Sequence, residues 1–205
     1  ESDEIGFVKN TCEGISILAN GFPFEKGDNV VLVDQEHSAN LFPWIRLHEY
    51  KGVDLHIVKS INGSIQIEDI QFSTGYYADL ETLGKICEEK GILFCVDGIQ
   101  ALGRMHIDVK KMRIGWMASG TNKGLLSTLG AGFVYCDKKY TERIIPSYAS
   151  YQSVENHVSP PSITTNFEYL EWHKDARRFE SGNLSYNCIL ALSKGVEWIL
   201  KLGME

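Results

Sequence analysis

The feature that most constrains the fold of this chain is a regular alternation of short apolar runs with amphipathic segments. Apolar runs of four to six residues that favour sheet predict strands, and longer segments with apolar residues at helical spacing predict helices. The predicted strands cover 29–33, 53–58, 92–96, 115–118 and 132–136. The predicted helices cover 12–19, 39–50, 79–90 and 186–202.

This repeated order of strand, helix and strand is typical of sheets with helices packed on both faces. We therefore predict an α/β fold with three layers, α/β/α, and a mainly parallel central sheet. The 205 residues correspond to one domain, or to one domain and part of another. A stretch rich in Ser, Pro, Asn and Tyr, 147–166, predicts a long irregular surface segment, and such segments are usually functional or disordered.

Composition and charge narrow the possible partners. The net charge of -7 argues against nucleic acid as a partner, because phosphate contacts need clustered cations. No apolar stretch has the length of a membrane span, and the acidic first residues do not resemble a signal peptide. We expect neither nucleic acid nor a membrane as a partner.

Cysteine and histidine usage indicates the compartment and argues against a metal. The five cysteines are scattered and odd in number, and they form no Cys-x-x-Cys pair. A disulfide framework or zinc site is therefore not expected, and a reducing cytoplasm is the default location. The six histidines show no metal-ligand spacing, so no metal is predicted.

Gly98 and Gly103 have P-loop spacing, but Arg104 and Met105 follow where Lys and Ser or Thr are required, which excludes a nucleotide triphosphatase of that type.

Charged side chains follow two of the predicted strands. Asp97 ends the apolar run 92–96, and Lys123 lies a few residues beyond the run 115–118. Open α/β sheets bind ligands at the carboxyl ends of their strands. Pyridoxal phosphate needs a carboxylate at its ring nitrogen and a lysine for its aldehyde, so the pair fits this cofactor. Alone, however, Asp97 could be a turn or capping residue and Lys123 a surface lysine.

Further polar groups are predicted at the same edge. Thr11 and Cys12 begin a helix, whose free N–H groups and dipole attract phosphate, although plain capping also explains them. His37 follows the strand 29–33 and could stack on an aromatic ring or make a local hydrogen bond. Gln100 could reach a phenolic oxygen of the same ring or cap the next turn. It is the combination that favours a cofactor site.

The order of these groups resembles the class V aminotransferase family of pyridoxal-phosphate enzymes, of fold type I. The family includes cysteine desulfurases and isopenicillin-epimerase-like proteins. Five segments resemble family motifs and fall in family order: 10–15, 36–40 with 43–44, 96–100, 120–123 and 178–183. The Asp-x-x-Gln element with a downstream lysine is a fairly specific signal.

The resemblance implies roles for the side chains. Lys123 would form the Schiff base with the cofactor and then move the α-proton of the substrate. Asp97 would keep the pyridine nitrogen protonated, Gln100 would bond the phenolic oxygen, and His37 would stack on the ring.

The resemblance also implies how the phosphate is held and how subunits assemble. Thr11 and Cys12, together with Ser119 or Thr121, would receive the phosphate. Asn183 would come from the partner subunit of a homodimer, because family members build each site at the dimer interface.

The chain departs from the family pattern at several positions. Asn122 stands where His usually precedes the lysine, and Cys12 and Asn183 each replace a common Thr or Ser. Phe72, ahead of Gly75, stands where the family often has an asparagine near the cofactor oxygen. These changes concern phosphate binding and substrate choice.

We predict that 1–205 is the cofactor-binding large domain of the family in incomplete form. Compared with the family, an N-terminal segment, a strand near 70–71 and the C-terminal small domain are absent. That small domain normally supplies an arginine for the substrate carboxylate and, in desulfurases, the nucleophilic cysteine. None of the five cysteines lies in a matching loop.

Three hypotheses follow for the function. The first is a pyridoxal-phosphate enzyme acting on an amino acid, most simply by transamination. The second is removal of sulfur or selenium from cysteine or selenocysteine on the same scaffold, which requires a reactive thiol. The third is a cofactor-free interaction module or pseudoenzyme, which failure to bind the cofactor would favour.

Overall fold

The computed structural model describes residues 1–34, 36–59, 79–156 and 169–203. Its strands are β1 (Ile5–Val8), β2 (Asn29–Val33), β3 (Asp54–Val58), β4 (Cys95–Asp97), β5 (Trp116–Gly120) and β6 (Gly132–Cys136). Its α-helices are α1 (Thr11–Gly21), α2 (Ser38–Lys51), α3 (Leu80–Glu89), α4 (Lys138–Thr141) and α5 (Tyr186–Leu202). Short 3-10 helices occupy Ser2–Glu4 and Ala176–Phe179.

The described strands form a mixed sheet and a separate parallel pair. Four strands lie in the order β1-β6-β5-β4, and β2 pairs in parallel with β3. β4 and β5 are parallel, but β6 is antiparallel to both β1 and β5. The predicted α/β class is confirmed, but the four-stranded sheet is mixed rather than mainly parallel. The reason is that the loop 121–131 joins β5 to β6 without the helical crossover that parallel neighbours need.

Side chains alternate between the two faces of this sheet, and helices cover both. Trp116 and Ala118 of β5 belong to a core cluster on the side of α1 and α2. Met117, between them, packs in a second cluster with Leu80 of α3. Leu192 of α5 belongs to a third cluster. The three-layer arrangement predicted from the alternation is therefore present.

The start of α1 is fixed by local capping and by close packing. Asn10 is the N-cap of the helix, and its Oδ1 accepts a hydrogen bond from the Glu13 N–H at 2.9 Å. The Glu13 carboxylate reaches back to the Lys9 N–H at 2.5 Å. Gly14 then lies directly against Ala118, since a Cβ at this position would be 2.7 Å from the Ala118 Cβ. The helix N-terminus is thus held against β5.

Other predicted elements agree with the structure to differing degrees. The predicted segments 29–33, 132–136 and 186–202 have the observed bounds. The apolar run 92–96 is only partly a strand, because the Ile92 N–H donates to Cys87 O and so ends the preceding helix. The strand β1 was not predicted. Phe72, Gly75 and the segment near 70–71 lie outside the described residues, as do residues 157–166 of the predicted irregular segment.

Gly132 provides a test of the packing around the end of β5. A Cβ at this residue would lie 2.7 Å from Ser119 O and 2.9 Å from Asn10 Cα, and these backbone atoms cannot move without shifting β5 or α1. We expect Gly132→Ala to lower the free energy of unfolding by about 3 kcal/mol in denaturant titrations.

The matched control is Gly52→Ala, at the C-cap of α2. Gly52 has φ 69°, but an added methyl group there meets no atom within 4 Å, so only backbone strain acts. We expect Gly52→Ala to lower the free energy of unfolding by about 1 kcal/mol. Equal losses for the two variants would contradict the close approach at Gly132.

Candidate functional site

Asp97 is the last residue of β4, and its carboxylate lies at the carboxyl edge of the sheet. The Oδ1 accepts a hydrogen bond from the Ile99 N–H at 3.0 Å. The Gly98 N–H donates to Ala118 O at 2.9 Å, which fixes the turn to β5. The carboxylate is therefore held in position by its own turn.

Burial raises the pKa of Asp97 to about 6, although the hydrogen bond from the Ile99 N–H acts in the opposite direction. A nearby carboxylate, Glu36, raises the pKa further, whereas Lys123 and His37 lower it. Four ionisable side chains from three separate segments of the chain, Asp97 among them, thus lie near one another. Three of them, Asp97, Lys123 and His37, were predicted from the sequence to lie at this edge.

Lys123 belongs to the loop between β5 and β6, and this loop is tightly held. The Lys123 carbonyl accepts a hydrogen bond from the Leu126 N–H at 3.0 Å, in a turn where Leu126 has the left-handed φ of 58°. The backbone of Gly124 lies against that of Leu102, since a Cβ on Gly124 would be 2.2 Å from Leu102 O. The lysine loop is thereby fixed against the turn that follows Asp97.

The N-terminus of α1 is joined directly to the end of β5. The buried Thr11 Oγ1 accepts a hydrogen bond from the Gly120 N–H at 2.8 Å. Cys12, the next residue, is exposed. The first N–H groups of a helix have no partner within the helix, so this end can receive an anion. It lies at the strand end from which the loop to Lys123 departs.

Ser119 and Thr121 are placed differently from Thr11 and Cys12. Both are fully buried, and their hydroxyls donate to main-chain carbonyls: Ser119 to Gly120 O at 2.8 Å and Thr121 to Ala131 O at 2.9 Å. A phosphate contact from either hydroxyl would have to replace such a bond. The start of α1 is therefore the better placed part of the predicted phosphate site.

His37 is the N-cap of α2. Its Nδ1 accepts a hydrogen bond from the Ala39 N–H at 3.2 Å, so the proton of the neutral ring is on Nε2. The preceding Glu36 accepts a hydrogen bond from the Asn40 side chain at 2.9 Å. The ring is exposed at the strand edge while one of its nitrogens is used for capping.

Two further predicted residues have clear partners. The Gln100 Oε1 accepts a hydrogen bond from the Arg104 Nη1 at 2.9 Å. Asn183 is exposed, and its side-chain oxygen accepts a hydrogen bond from the Tyr151 hydroxyl. None of the contacts around Asp97 described above involves Asn183, and its contribution to a partner subunit's site stays a prediction.

Sequence reasoning did not select Glu36 or Arg104 as site residues. Glu36 was visible only as the neighbour of His37, yet its charge acts on Asp97. Arg104 was considered only as a departure from the P-loop pattern, and its spacing of four residues from Gln100 was the available signal.

A cleft of about 280 Å³ adjoins the lysine loop. It is lined on one side by Arg104 and Lys123 and on the other by Trp198 and Leu202 of α5. Lys123 lines the cleft and also lies near the carboxylate of Asp97, which does not line it.

The described part of the chain shows no group of three or more His, Cys, Asp or Glu side chains placed to hold a metal ion. Nor does any helix within it have the length and apolar character required to cross a bilayer.

The donor set around Asp97 fits pyridoxal phosphate. Asp97 has a half-buried carboxylate whose charged form burial disfavours, and a protonated ring nitrogen would stabilise that charged form. Lys123 provides the amine, Gln100 an amide, and the start of α1 an anion site.

Known proteins are similar to this chain. The family model for aminotransferase class-V matches residues 1–205. A relative named probable cysteine desulfurase, from Methanothermobacter thermautotrophicus, is 31% identical over 100% of this chain and 53% of its own length. An uncharacterized aminotransferase of Schizosaccharomyces pombe is 26% identical over 100% of this chain and 55% of its own length.

A solved structure is also similar. The apo structure of a cysteine desulfurase from Thermococcus onnurineus NA1 matches with a TM-score of 0.88 and 25% identity, covering 100% of this chain and 54% of that one. The chain thus spans about half the length of the relatives it matches.

Proposed function

The chain belongs to the class-V aminotransferase family, whose cofactor is pyridoxal phosphate, and we propose that it is the cofactor-binding part of an enzyme acting at the α-carbon of an amino acid. The observation that carries the proposal is the convergence of Lys123, His37 and Glu36 on the half-buried carboxylate of Asp97. A structural ion pair would not require a lysine loop, a helix N-terminus and an amide at the same edge.

The cofactor, when bound, supplies an aldehyde that condenses with amines and a ring that withdraws electrons from the α-carbon. Asp97 would accept a hydrogen bond from the ring nitrogen and balance its positive charge. Lys123 would hold the aldehyde carbon and would be placed to carry a proton to or from the α-carbon. Gln100 would donate to the phenolic oxygen, and His37 would cover one face of the ring.

The phosphate would be received by the N-terminus of α1. The Thr11 Oγ1, already bonded to the Gly120 N–H, retains a proton that it can donate, and Cys12 lies beside it. Ser119 and Thr121 flank Gly120 and support this end, since their hydroxyls donate to Gly120 O and Ala131 O.

Two reactions fit this scaffold. Transamination needs the groups named above, a ligand for the substrate carboxylate and an amino acceptor, and the name of the Schizosaccharomyces pombe relative supports it. Removal of sulfur from cysteine is supported by the names of the relative at 31% identity and of the similar solved structure. The second reaction also requires a reactive thiol close to the substrate.

We further propose a homodimer in the cytoplasm, with an amino acid as substrate. Five free cysteines support a reducing compartment. Exposed apolar side chains on α5, among them Leu190 at 66% and Trp198 at 54%, support a covering protein surface. Asn183 is exposed and able to reach a second subunit.

The test is the visible absorption of the purified protein with added pyridoxal phosphate, followed by separate additions of cysteine and other amino acids. We expect an absorption band that changes on addition of the substrate. Alanine from cysteine, together with sulfide released by an added thiol reductant, would establish desulfuration. A 2-oxo acid that forms only in the presence of an amino acceptor, together with the aminated acceptor, would establish transamination. Absence of any band would contradict the proposal and favour an interaction module.

A further inference from the structure

Arg104 bonds Gln100, one of the residues assigned to the cofactor, and this bond determines which way the Gln100 amide is turned. A glutamine amide carries an acceptor oxygen and a donor nitrogen on the same planar group, and either can face a ligand. A guanidinium group carries donors only. Because the Arg104 Nη1 donates to the Gln100 Oε1 at 2.9 Å, the Gln100 Nε2 is directed away from Arg104.

We propose that Arg104 is a positioning residue that fixes the amide of Gln100 so that its N–H group, rather than its oxygen, faces the phenolic oxygen of the cofactor. The inference rests on the proposed function, because it assigns a purpose to the orientation of Gln100. Without this contact, the amide could turn and direct its oxygen at an anionic oxygen, which is repulsive.

Arg104 is itself well placed to hold this orientation. Its main-chain N–H donates to Ala101 O at 3.0 Å, within the turn that follows Asp97. Its stem lies along the lysine loop, since a Cβ on Gly124 would be 3.2 Å from the Arg104 Cγ. The side chain therefore runs from the loop of Lys123 to the head of Gln100, and it connects two groups that must act on the same cofactor.

A close backbone approach keeps these two segments in register. Gly103 has φ 79°, and a Cβ there would lie 2.2 Å from Gly124 O. Any shift of the lysine loop relative to this turn would therefore move Arg104 and change its reach to Gln100. The contact is a consequence of the fold and not only of a flexible surface side chain.

The expected consequence is a shift in the pH at which the visible absorption of the bound cofactor changes. A hydrogen bond donated to the phenolic oxygen stabilises its anionic form and makes it easier to remove the proton held beside it. Loss of the donor therefore raises the transition pH. Complete loss of the bond corresponds to a shift of about one unit or more. We therefore expect Arg104→Met, which keeps much of the stem, to raise the transition pH by roughly half a unit. Arg104→Lys should raise the transition pH by less than Arg104→Met does.

The controls separate positioning from charge and from folding. Arg46→Met removes the same charge from an exposed arginine of α2 that bonds Asn20, and it should leave the transition pH unchanged. Gln100→Leu should raise the transition pH by about one unit. In that background, Arg104→Met should add nothing, because the amide through which it acts is gone.

Each other result would overturn the inference. A cofactor band whose transition pH is the same in Arg104→Met and in the unaltered protein would refute the role of Arg104 alone and leave the proposed function intact. An additional shift in the double variant would show that Arg104 acts directly through its charge. A protein without any cofactor band would refute the proposed function and this inference with it.

Discussion

Replacing Lys123 with alanine is expected to abolish covalent retention of the cofactor and to lower the rate of reaction by roughly a thousandfold. Lys123 is the amine beside Asp97, and a methyl group in its place can neither bind an aldehyde carbon nor carry a proton. Cofactor should still bind without a covalent link, because Asp97 and the start of α1 are unchanged. The measurement is borohydride treatment followed by denaturation and mass analysis, together with turnover of the substrate.

A second lysine and a chemical test make this result specific. Lys85→Ala removes an exposed lysine from α3 and should leave labelling and turnover unchanged. Adding a small primary amine should restore part of the activity of Lys123→Ala, since it can supply the missing proton carrier. Borohydride labelling at another residue, or full turnover by the alanine variant, would remove Lys123 from the proposed role.

Replacing Asp97 with asparagine is expected to lower turnover by about a hundredfold while leaving the fold intact. The carboxylate would stabilise a protonated ring nitrogen through a hydrogen bond to a charged group, and such bonds contribute about 1.5–3 kcal/mol. Asparagine has the same shape but no charge, so the ring would lose its proton and its electron-withdrawing strength. Steady-state kinetics of the cofactor-loaded variant measures this loss, and turnover equal to that of the unaltered protein would contradict the assignment.

The same substitution should stabilise the cofactor-free protein at neutral pH. The pKa of Asp97 is raised from 3.8 to about 6 in the folded chain, so the folded state binds a proton that the unfolded chain releases between these values. The free energy of unfolding therefore falls as pH rises from about 4 to about 6, and the full cost applies above that window. A shift of roughly two units corresponds to about 3 kcal/mol, and partial exposure reduces it to about 2 kcal/mol.

Thermal unfolding at several pH values checks this expectation. Asp97→Asn should melt at a higher temperature than the unaltered protein at pH 7 and at the same temperature near pH 4. The control is Asp54→Asn, which removes an exposed carboxylate at the start of β3. It should show no such difference between pH 7 and pH 4. A variant that is less stable at pH 7 would argue against burial as the cause of the raised pKa.

Much of the fold was predictable because its elements have strong local signals. The helix α5 and the strands β2 and β6 show clear apolar periodicity, and their bounds agree with prediction. β1 escaped prediction because its four residues are a short run whose partner, β6, is distant in sequence. Strand direction was less accessible still, because it depends on the loop 121–131, which contains few residues that favour a particular structure.

The candidate site was predictable where a single residue defines its chemistry. Asp97 and Lys123 each follow an apolar run, so their placement at the sheet edge needed only the strand assignments. The bond between Gln100 and Arg104 and that between Thr11 and Gly120 depend on side-chain orientation, which residue order alone does not specify.

The bond between Thr11 and Gly120 also has a consequence for synthesis of the chain. Its two partners are 109 residues apart, and β1 must likewise wait for β6 before it can pair. Such long-range contacts slow folding, because a large loop has to be closed before any contact compensates for the lost entropy. At about 5–20 residues per second, the ribosome leaves the start of α1 without its neighbour for several seconds or more. The contacts at the start of α1 therefore form late, and the nascent chain must keep the apolar residues of β1 and α1 protected until the lysine loop has emerged.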